Sequence, residues 1–253
     1  MKTSKLIARR VINFAARALT DLVCKIDAGG LKRLPAKGPY IIIVNHVNFL
    51  ELPIIYPRVG SDLGTGYSKV ENWDNWLYRL LFRNWNIIPI DREEVDVSAM
   101  RQGFQALDKG MILFVTPEGT RSHDGRLHQG KPGVAMLAER TGVPVWPVAC
   151  YGGENFSENI RRLRRTEYHV KVGNPFTVGT NGIKAAGAVR QQIVDEMMYQ
   201  IAALLPAQHR GYYSDIAAAT ESFLTFPSPG DSNLRQVHGQ PKTAAPLSRV
   251  TAA

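Results

Sequence analysis

Asn45 and His46 stand at the end of an apolar run, Tyr40 to Val44, and Glu51 follows the histidine by five positions in NHVNFLE. A histidine becomes a general base when a carboxylate accepts its second ring N–H, which fixes the tautomer and stabilises the imidazolium formed when a proton is taken up. If the run is a strand and Glu51 opens a helix, this spacing across the turn brings the two side chains together. Junctions of that kind are where ligands bind in open α/β sheets. A second polar cluster, TPEGTRS at 116–122, follows another apolar run. There Pro117 stops the strand and Gly119 allows a tight turn with exposed N–H groups. Glu118, Thr120, Arg121 and Ser122 add an acid, two hydroxyls and a guanidinium in neighbouring positions, a set suited to an oxyanion or a phosphate. A third run, IIPIDR, ends in Asp91 and Arg92, and an arginine just past a strand end can clamp phosphate in bidentate fashion.

The elements that must position these groups alternate along the chain. Strand-like runs fall near 40–45, 64–68, 85–90, 111–116, 144–150 and 168–173, with helical patterns near 50–58, 73–83, 97–109, 131–141 and 184–204. Strand-then-helix repetition predicts an α/β fold, a mixed and largely parallel sheet covered by helices. Pro147, inside VPVWPVAC, argues against a central strand there unless a bulge or an edge accommodates it. Ahead of this domain, Lys5 to Ile26 reads as a basic amphipathic helix. Ile7, Val11, Phe14, Ala15, Ala18, Leu19, Leu22 and Ile26 share one face, and Lys2, Lys5, Arg9, Arg10 and Arg17 lie opposite. Such a helix can lie in a membrane interface. The expected organisation is a membrane-associating helix over 1–30, a domain over 31–226 and a disordered tail over 227–253, where periodicity and aromatic residues run out. On this division, removal of residues 1–26 leaves the domain folded and weakens vesicle association.

The 253 residues suffice for one large domain, and 31 Lys and Arg against 22 Asp and Glu give a net charge of +9, which points to an anionic partner. No nucleic-acid motif accompanies the charge, and nucleic acid is not expected as a partner. Cys24 and Cys150 lack metal-ligand spacing and read as buried or semi-buried thiols. His123, Asp124 and His128 lack a third firm ligand, so no metal site is expected, and His169 and His209 read as structural. The run Arg161, Arg162, Arg164, Arg165 is a solvated face or a contact for anionic headgroups or the phosphates of coenzyme A. No run of about 18 apolar residues spans a bilayer. Arg17, Asp21 and Lys25 interrupt the first apolar region, so it is read as mature protein rather than a signal peptide.

In order and spacing, these segments resemble the glycerolipid acyltransferases, the lysophosphatidic acid acyltransferases and their relatives, from about residue 30 to 215. NHVNFLE is similar to the family's His-acid block, with His46 and Glu51; the family's acid is usually Asp, and Glu51 replaces it. Ile90, Asp91 and Arg92 resemble the second block, and Lys69 in YSKVE an upstream family lysine. Glu118 to Ser122 matches the Glu-Gly-Thr-Arg-Ser block without change, followed by a glycine and lysine stretch with Lys131 and Gly133, and Val143 to Pro147 is the apolar fourth block.

The resemblance implies an acyl-thioester-dependent 1-acylglycerol-3-phosphate O-acyltransferase of phospholipid synthesis. His46 and Glu51 would be catalytic, and Lys69, Arg92, Glu118, Gly119, Thr120, Arg121, Ser122 and Lys131 would bind substrate. It implies acyl-coenzyme A or acyl carrier protein as donor, a lysophospholipid acceptor and no separate cofactor. It further implies a peripheral or monotopic position on an anionic membrane surface, the cytoplasmic face of the cell membrane. Glycerol 3-phosphate or another lysophospholipid is the alternative acceptor, and a non-catalytic lipid-surface binding protein of the same fold the alternative class.

Overall fold

The run Tyr40–Val44 is continuous rather than alternating, and all five residues are buried. That is the pattern of a central strand with both faces covered. In the computed structural model, which describes residues 3–59, 63–91, 96–180, 182–183 and 186–236, it is the middle of a seven-stranded sheet. The sheet elements, in chain order, are Cys24–Asp27 (β1), Tyr40–Val44 (β2), Gly64–Lys69 (β3), Ile88–Ile90 (β4), Ile112–Val115 (β5), Val145–Tyr151 (β6) and Thr166–Val172 (β7). Their order across the sheet is β1-β7-β6-β2-β5-β3-β4. Every neighbouring pair is parallel except β6 and β7, which run antiparallel. A short pair, Thr177–Val178 (β8) and Leu224–Thr225 (β9), stands apart.

The helices are Thr3–Val23 (α1), Glu51–Val59 (α2), Trp76–Asn84 (α3), Val97–Asp108 (α4), Gly133–Thr141 (α5), Phe156–Arg161 (α6) and Gly187–Leu204 (α7). Successive side chains of a strand point to opposite faces. Ile41 and Ile43 accordingly enter a core with α4, α5 and α7, and Tyr40, Ile42 and Val44 enter a second core with α2 and α3. Each fully buried isoleucine contributes about 1.5–3 kcal/mol, so β2 anchors both layers.

The structure departs from the sequence reading at both ends. Cys24 to Ile26, expected as the last turn of the first helix, are strand: Cys24 pairs with Thr166 and Ile26 with Tyr168 at the sheet edge. Pairing with β7 satisfies their backbone groups and buries Cys24 completely, which outweighs weak helical periodicity. Residues 24–27 therefore belong to the sheet, and the boundary expected at 30 does not separate an appendage. At the other end, residues 227–235, expected as the start of a disordered tail, are described, and the chain there is packed at Ser232, Asn233 and Leu234. Asn233 is fully buried; its Oδ1 accepts from Asn174 N–H at 2.7 Å and its Nδ2 donates to Gln200 Oε1 at 3.0 Å. Residues 237–253 lie outside the described residues.

Pro147 also sits in an internal strand, facing Ile43 of β2. Its carbonyl accepts from Gly173 N–H at 2.9 Å, just past the end of β7. Its nitrogen faces that same side, where the ladder has ended, so the missing N–H costs no sheet bond.

Helix α1 turns its mixed face inward. Arg9 is buried and donates from Nε to Asn84 O at 2.7 Å, at the C-terminal end of α3 where a cation is favoured. Asn13 Oδ1 accepts from Trp85 Nε1 at 2.8 Å, and Ile12, Ala16 and Val23 pack on the second core. Arg9, expected on the solvated basic face, is thus a buttress, while Ile7, Val11, Phe14, Leu19 and Leu22 remain exposed. No helix among the described residues is long and apolar enough to cross a membrane.

Candidate active site

The C-terminal ends of the parallel strands β2, β3 and β5 deliver the polar residues to one edge of the sheet. Asn45, directly after β2, is buried and bonded to Cys150 of β6 in both directions: Nδ2 donates to its carbonyl at 2.8 Å, and Oδ1 accepts from its N–H at 2.7 Å. That double bond fixes where the next residue leaves the sheet. His46 Nδ1 then lies 3.0 Å from Glu51 Oε2 in the first turn of α2. Glu51 Oε1 folds back to accept from Val47 N–H at 3.2 Å and Asn48 N–H at 3.1 Å. The extra methylene of glutamate serves this backward reach, so the acid sits at the helix start and still meets the ring. With Nδ1 committed to the carboxylate, Nε2 is the nitrogen left for a substrate proton.

The turn after β5 is tied to the same loop. Ser122 N–H donates to His46 O at 2.8 Å and His123 N–H to Val47 O at 3.2 Å. Glu118 points inward: Oε1 accepts from His46 N–H at 2.7 Å and Oε2 from His128 N–H at 2.9 Å. Burial pushes its carboxyl up to about 7, against the pull of these two N–H groups. Gly119 has a φ of +69°, and the stem of Lys131 lies over it. The Gly119 N–H donates to Thr116 O at 3.1 Å within the turn. The N–H groups of Thr120 and Arg121 have no hydrogen bond to another protein group among the described residues.

A cavity of about 830 Å³ opens beside the ring. His46, Glu51, Lys69, Thr120, Arg121 and His123 are among its polar lining, and apolar side chains of α1, α2, α3 and α6 line it as well. Lys69, at the end of β3, pairs with Glu71 at 2.6 Å. Exposed Leu19, Phe49, Leu77 and Leu80 also line this cavity. Of the residues singled out in the sequence, the structure therefore gathers His46, Glu51, Lys69, Thr120 and Arg121 around one space. Glu118 stands behind it as a brace, Gly119 and Ser122 shape the turn, and Lys131 lies outside the lining. Arg92 lies outside the described residues. His123, read as part of a polar loop, faces the cavity with a φ of +59°; its only sequence signal was its place next to the turn. No three potential metal ligands converge among the described residues.

With sheet, dyad and cavity in hand, comparison with known proteins defines the class. The model of the Acyltransferase family matches residues 25–151, and the chain belongs to that family. It is 32% identical over 136 residues to the 1-acyl-sn-glycerol-3-phosphate acyltransferase BAT2, chloroplastic, of Brassica napus, covering 51% of this chain and 38% of that protein. It is 29% identical over 145 residues to the alpha 1-acyl-sn-glycerol-3-phosphate acyltransferase of Mus musculus, covering 55% of this chain and 50% of the relative. The chain thus spans between about a third and a half of the lengths of these relatives. The crystal structure of PlsC, the 1-acyl-sn-glycerophosphate acyltransferase of Thermotoga maritima, shares the fold with a TM-score of 0.59 at 24% identity, over 78% of this chain and 80% of that one.

Proposed function

We propose that this protein moves a fatty acyl group from an acyl thioester to the free hydroxyl of lysophosphatidic acid, a step of phospholipid synthesis. The observation that carries this reading is the His46 ring, held 3.0 Å from Glu51 Oε2 and set beside a cavity lined both by cationic Arg121 and by apolar helix side chains. His46 Nε2 takes the proton from the acceptor hydroxyl as its oxygen attacks the thioester carbonyl. The tetrahedral adduct then collapses, the C–S bond breaks, and the thiolate takes the proton back from the imidazolium. No enzyme nucleophile enters. Arg121 pairs with the acceptor phosphate, and Lys69 and Arg92 are further candidates for it. The N–H groups of Thr120 and Arg121 are donors for the oxyanion. The donor is acyl-coenzyme A or acyl carrier protein.

The same reading assigns the protein to an anionic membrane surface, on the cytoplasmic face of the cell membrane. The outward face of α1 carries Ile7, Val11, Phe14 and Leu22, and exposed Trp76, Leu77 and Leu80 extend along α3, which packs beside it. Leu163 is 93% exposed with a φ of +52°, among Arg161, Arg162, Arg164 and Arg165. Apolar side chains ringed by arginine suit a lipid interface with anionic headgroups. Leu19, Leu77 and Leu80 belong both to this surface and to the cavity lining, so an acyl chain can pass from one to the other.

The test is free-thiol release from an acyl-coenzyme A with lysophosphatidic acid as acceptor, compared with His46→Ala. Acceptor-dependent release that falls by roughly 10²–10⁴ in the variant supports the transferase. Release with glycerol 3-phosphate instead would reassign the acceptor. Silence with coenzyme A and carrier-protein donors alike would leave a lipid-binding protein of this fold.

A further inference from the structure

The base has a support that no family block contains. Glu51 Oε2 meets only the imidazole among the described residues, whereas Oε1 gathers three donors: Val47 N–H, Asn48 N–H and, at 3.3 Å, the phenol of Tyr168. The two N–H groups belong to the same loop as His46 and move with it. Tyr168 belongs to β7, on the far side of β6, and so ties the carboxylate to the sheet itself. Its ring is fully buried, with the Cys150 thiol among the groups around it.

The lodging of that ring is built tightly. A Cβ on Gly153 would stand 2.8 Å from Tyr168 Cε2, so this backbone must come close to the ring. The carbonyl of Gly153 accepts from Asn48 Nδ2 at 2.6 Å, which joins the tyrosine's wall to the loop that holds the base. A buried phenol needs a polar partner, and here one is the carboxylate. We propose that Tyr168 is a positioning residue for the base: its phenol clamps the outer oxygen of Glu51, so that glutamate, with one more torsion than aspartate, keeps its other oxygen on His46. The proposal rests on the transferase reading for its kinetic consequences and on geometry alone for the clamp.

Loss of the phenol frees Oε1 to turn, which takes the other oxygen off the ring and weakens the hold of Glu51 on the His46 proton. The other groups around the pair are Glu118, bonded to His46 N–H, the Cys150 thiol on β6, and Lys69, Arg121 and His123 in the cavity lining. Tyr168→Phe also removes the phenol from beside the Cys150 thiol, and the 3-fluorotyrosine variant, which keeps it there, separates that change from loss of the clamp.

The experiment is an NMR titration of the His46 imidazole in wild type, Tyr168→Phe and a variant with 3-fluorotyrosine at 168, together with kcat against pH. Tyr168→Phe is expected to lower the His46 midpoint, and the fluorinated phenol, which still donates, to leave it near that of wild type. The acid limb of kcat moves with the midpoint, and kcat falls about 3- to 10-fold at neutral pH with KM unchanged. In Glu51→Asp, whose shorter carboxylate draws back from the phenol, adding Tyr168→Phe has little further effect. A midpoint that does not fall in Tyr168→Phe, or effects at 51 and 168 that simply add, would overturn the clamp. The titration needs no turnover: a shifted midpoint without acyl transfer keeps the clamp and rejects the transferase reading, and the reverse result does the opposite.

Discussion

Replacing Phe14 and Leu22 by glutamate tests whether the outward face of α1 is a membrane surface. The two side chains are 76% and 70% exposed, and neither belongs to either core. Complete burial of such a side chain is worth about 1.5–3 kcal/mol. With roughly three quarters of each still available to lipid, each contributes about 1–2 kcal/mol to partitioning. At about 1.4 kcal/mol per tenfold, one substitution weakens vesicle binding about 10-fold and the pair about 10²-fold or more, before repulsion from anionic lipid is added. The assay is co-sedimentation with vesicles of mixed anionic and zwitterionic lipid, over a range of lipid concentrations and two salt concentrations. Added salt weakens the part due to Arg10, Arg17 and the arginines around Leu163, and leaves the apolar part. Stability in denaturant stays within about 0.5 kcal/mol of wild type, because surface changes that touch no core cost little. A double variant that partitions like wild type while folded would refute the reasoning, since no other consequence of these two side chains has been invoked.

Two further outcomes concern the turn after β5. Burial raises the Glu118 carboxyl to about 7 from 4.5, so the folded state holds the proton more tightly than the unfolded chain. The stability this provides is fully present below about pH 4.5 and is lost as pH rises through about 7. Glu118→Gln has no such titration; between pH 7.5 and 4.5 the stability gap should shift in favour of wild type by on the order of 3 kcal/mol, and parallel curves in denaturant melts would contradict this. Gly119→Ala places an L side chain at a φ of +69°, with its Cβ 3.0 Å from Lys131 Cδ. A loss of about 1–2 kcal/mol is expected, mostly from the backbone because the lysine stem can swing away; an unchanged melting temperature would show that the turn relaxes.

The parts of the fold that repeat a simple rule were legible from the chain. A run such as YIIIV has no polar alternation to hide a solvent face, so its central place follows from composition, and Gly142 ends α5 in the left-handed conformation expected of a helix stop. The pairing of His46 with Glu51 was legible because both partners lie within one turn of chain. Features that depend on distant partners were not. Tyr168 sits 117 positions from Glu51, in a strand whose alternation gives no sign that one inward ring meets a carboxylate. CKID is too short to announce itself as a strand beside a helix of 21 residues. Arg9 looked like a member of a basic stripe, because only the position of α3 gives its guanidinium a carbonyl to meet. Glu118 looked like a ligand group for the same reason: nothing local tells an inward carboxylate from an outward one.

The join between the first helix and the sheet carries a consequence of its own. α1 ends at Val23 and β1 starts at Cys24, with no residue between, and Arg165 of the chain leading into β7 grips both sides, donating to Asp21 O at 2.7 Å and Cys24 O at 2.6 Å. The helix is therefore a keel rather than a tether. A keel sets the attitude of the hull: with its apolar side in a bilayer, the pitch of the whole sheet would be fixed, and the cleft beside His46 would meet the lipid at one depth and one angle. A cut after Ile26 would not trim a detachable handle; it would unship the outermost plank of the sheet.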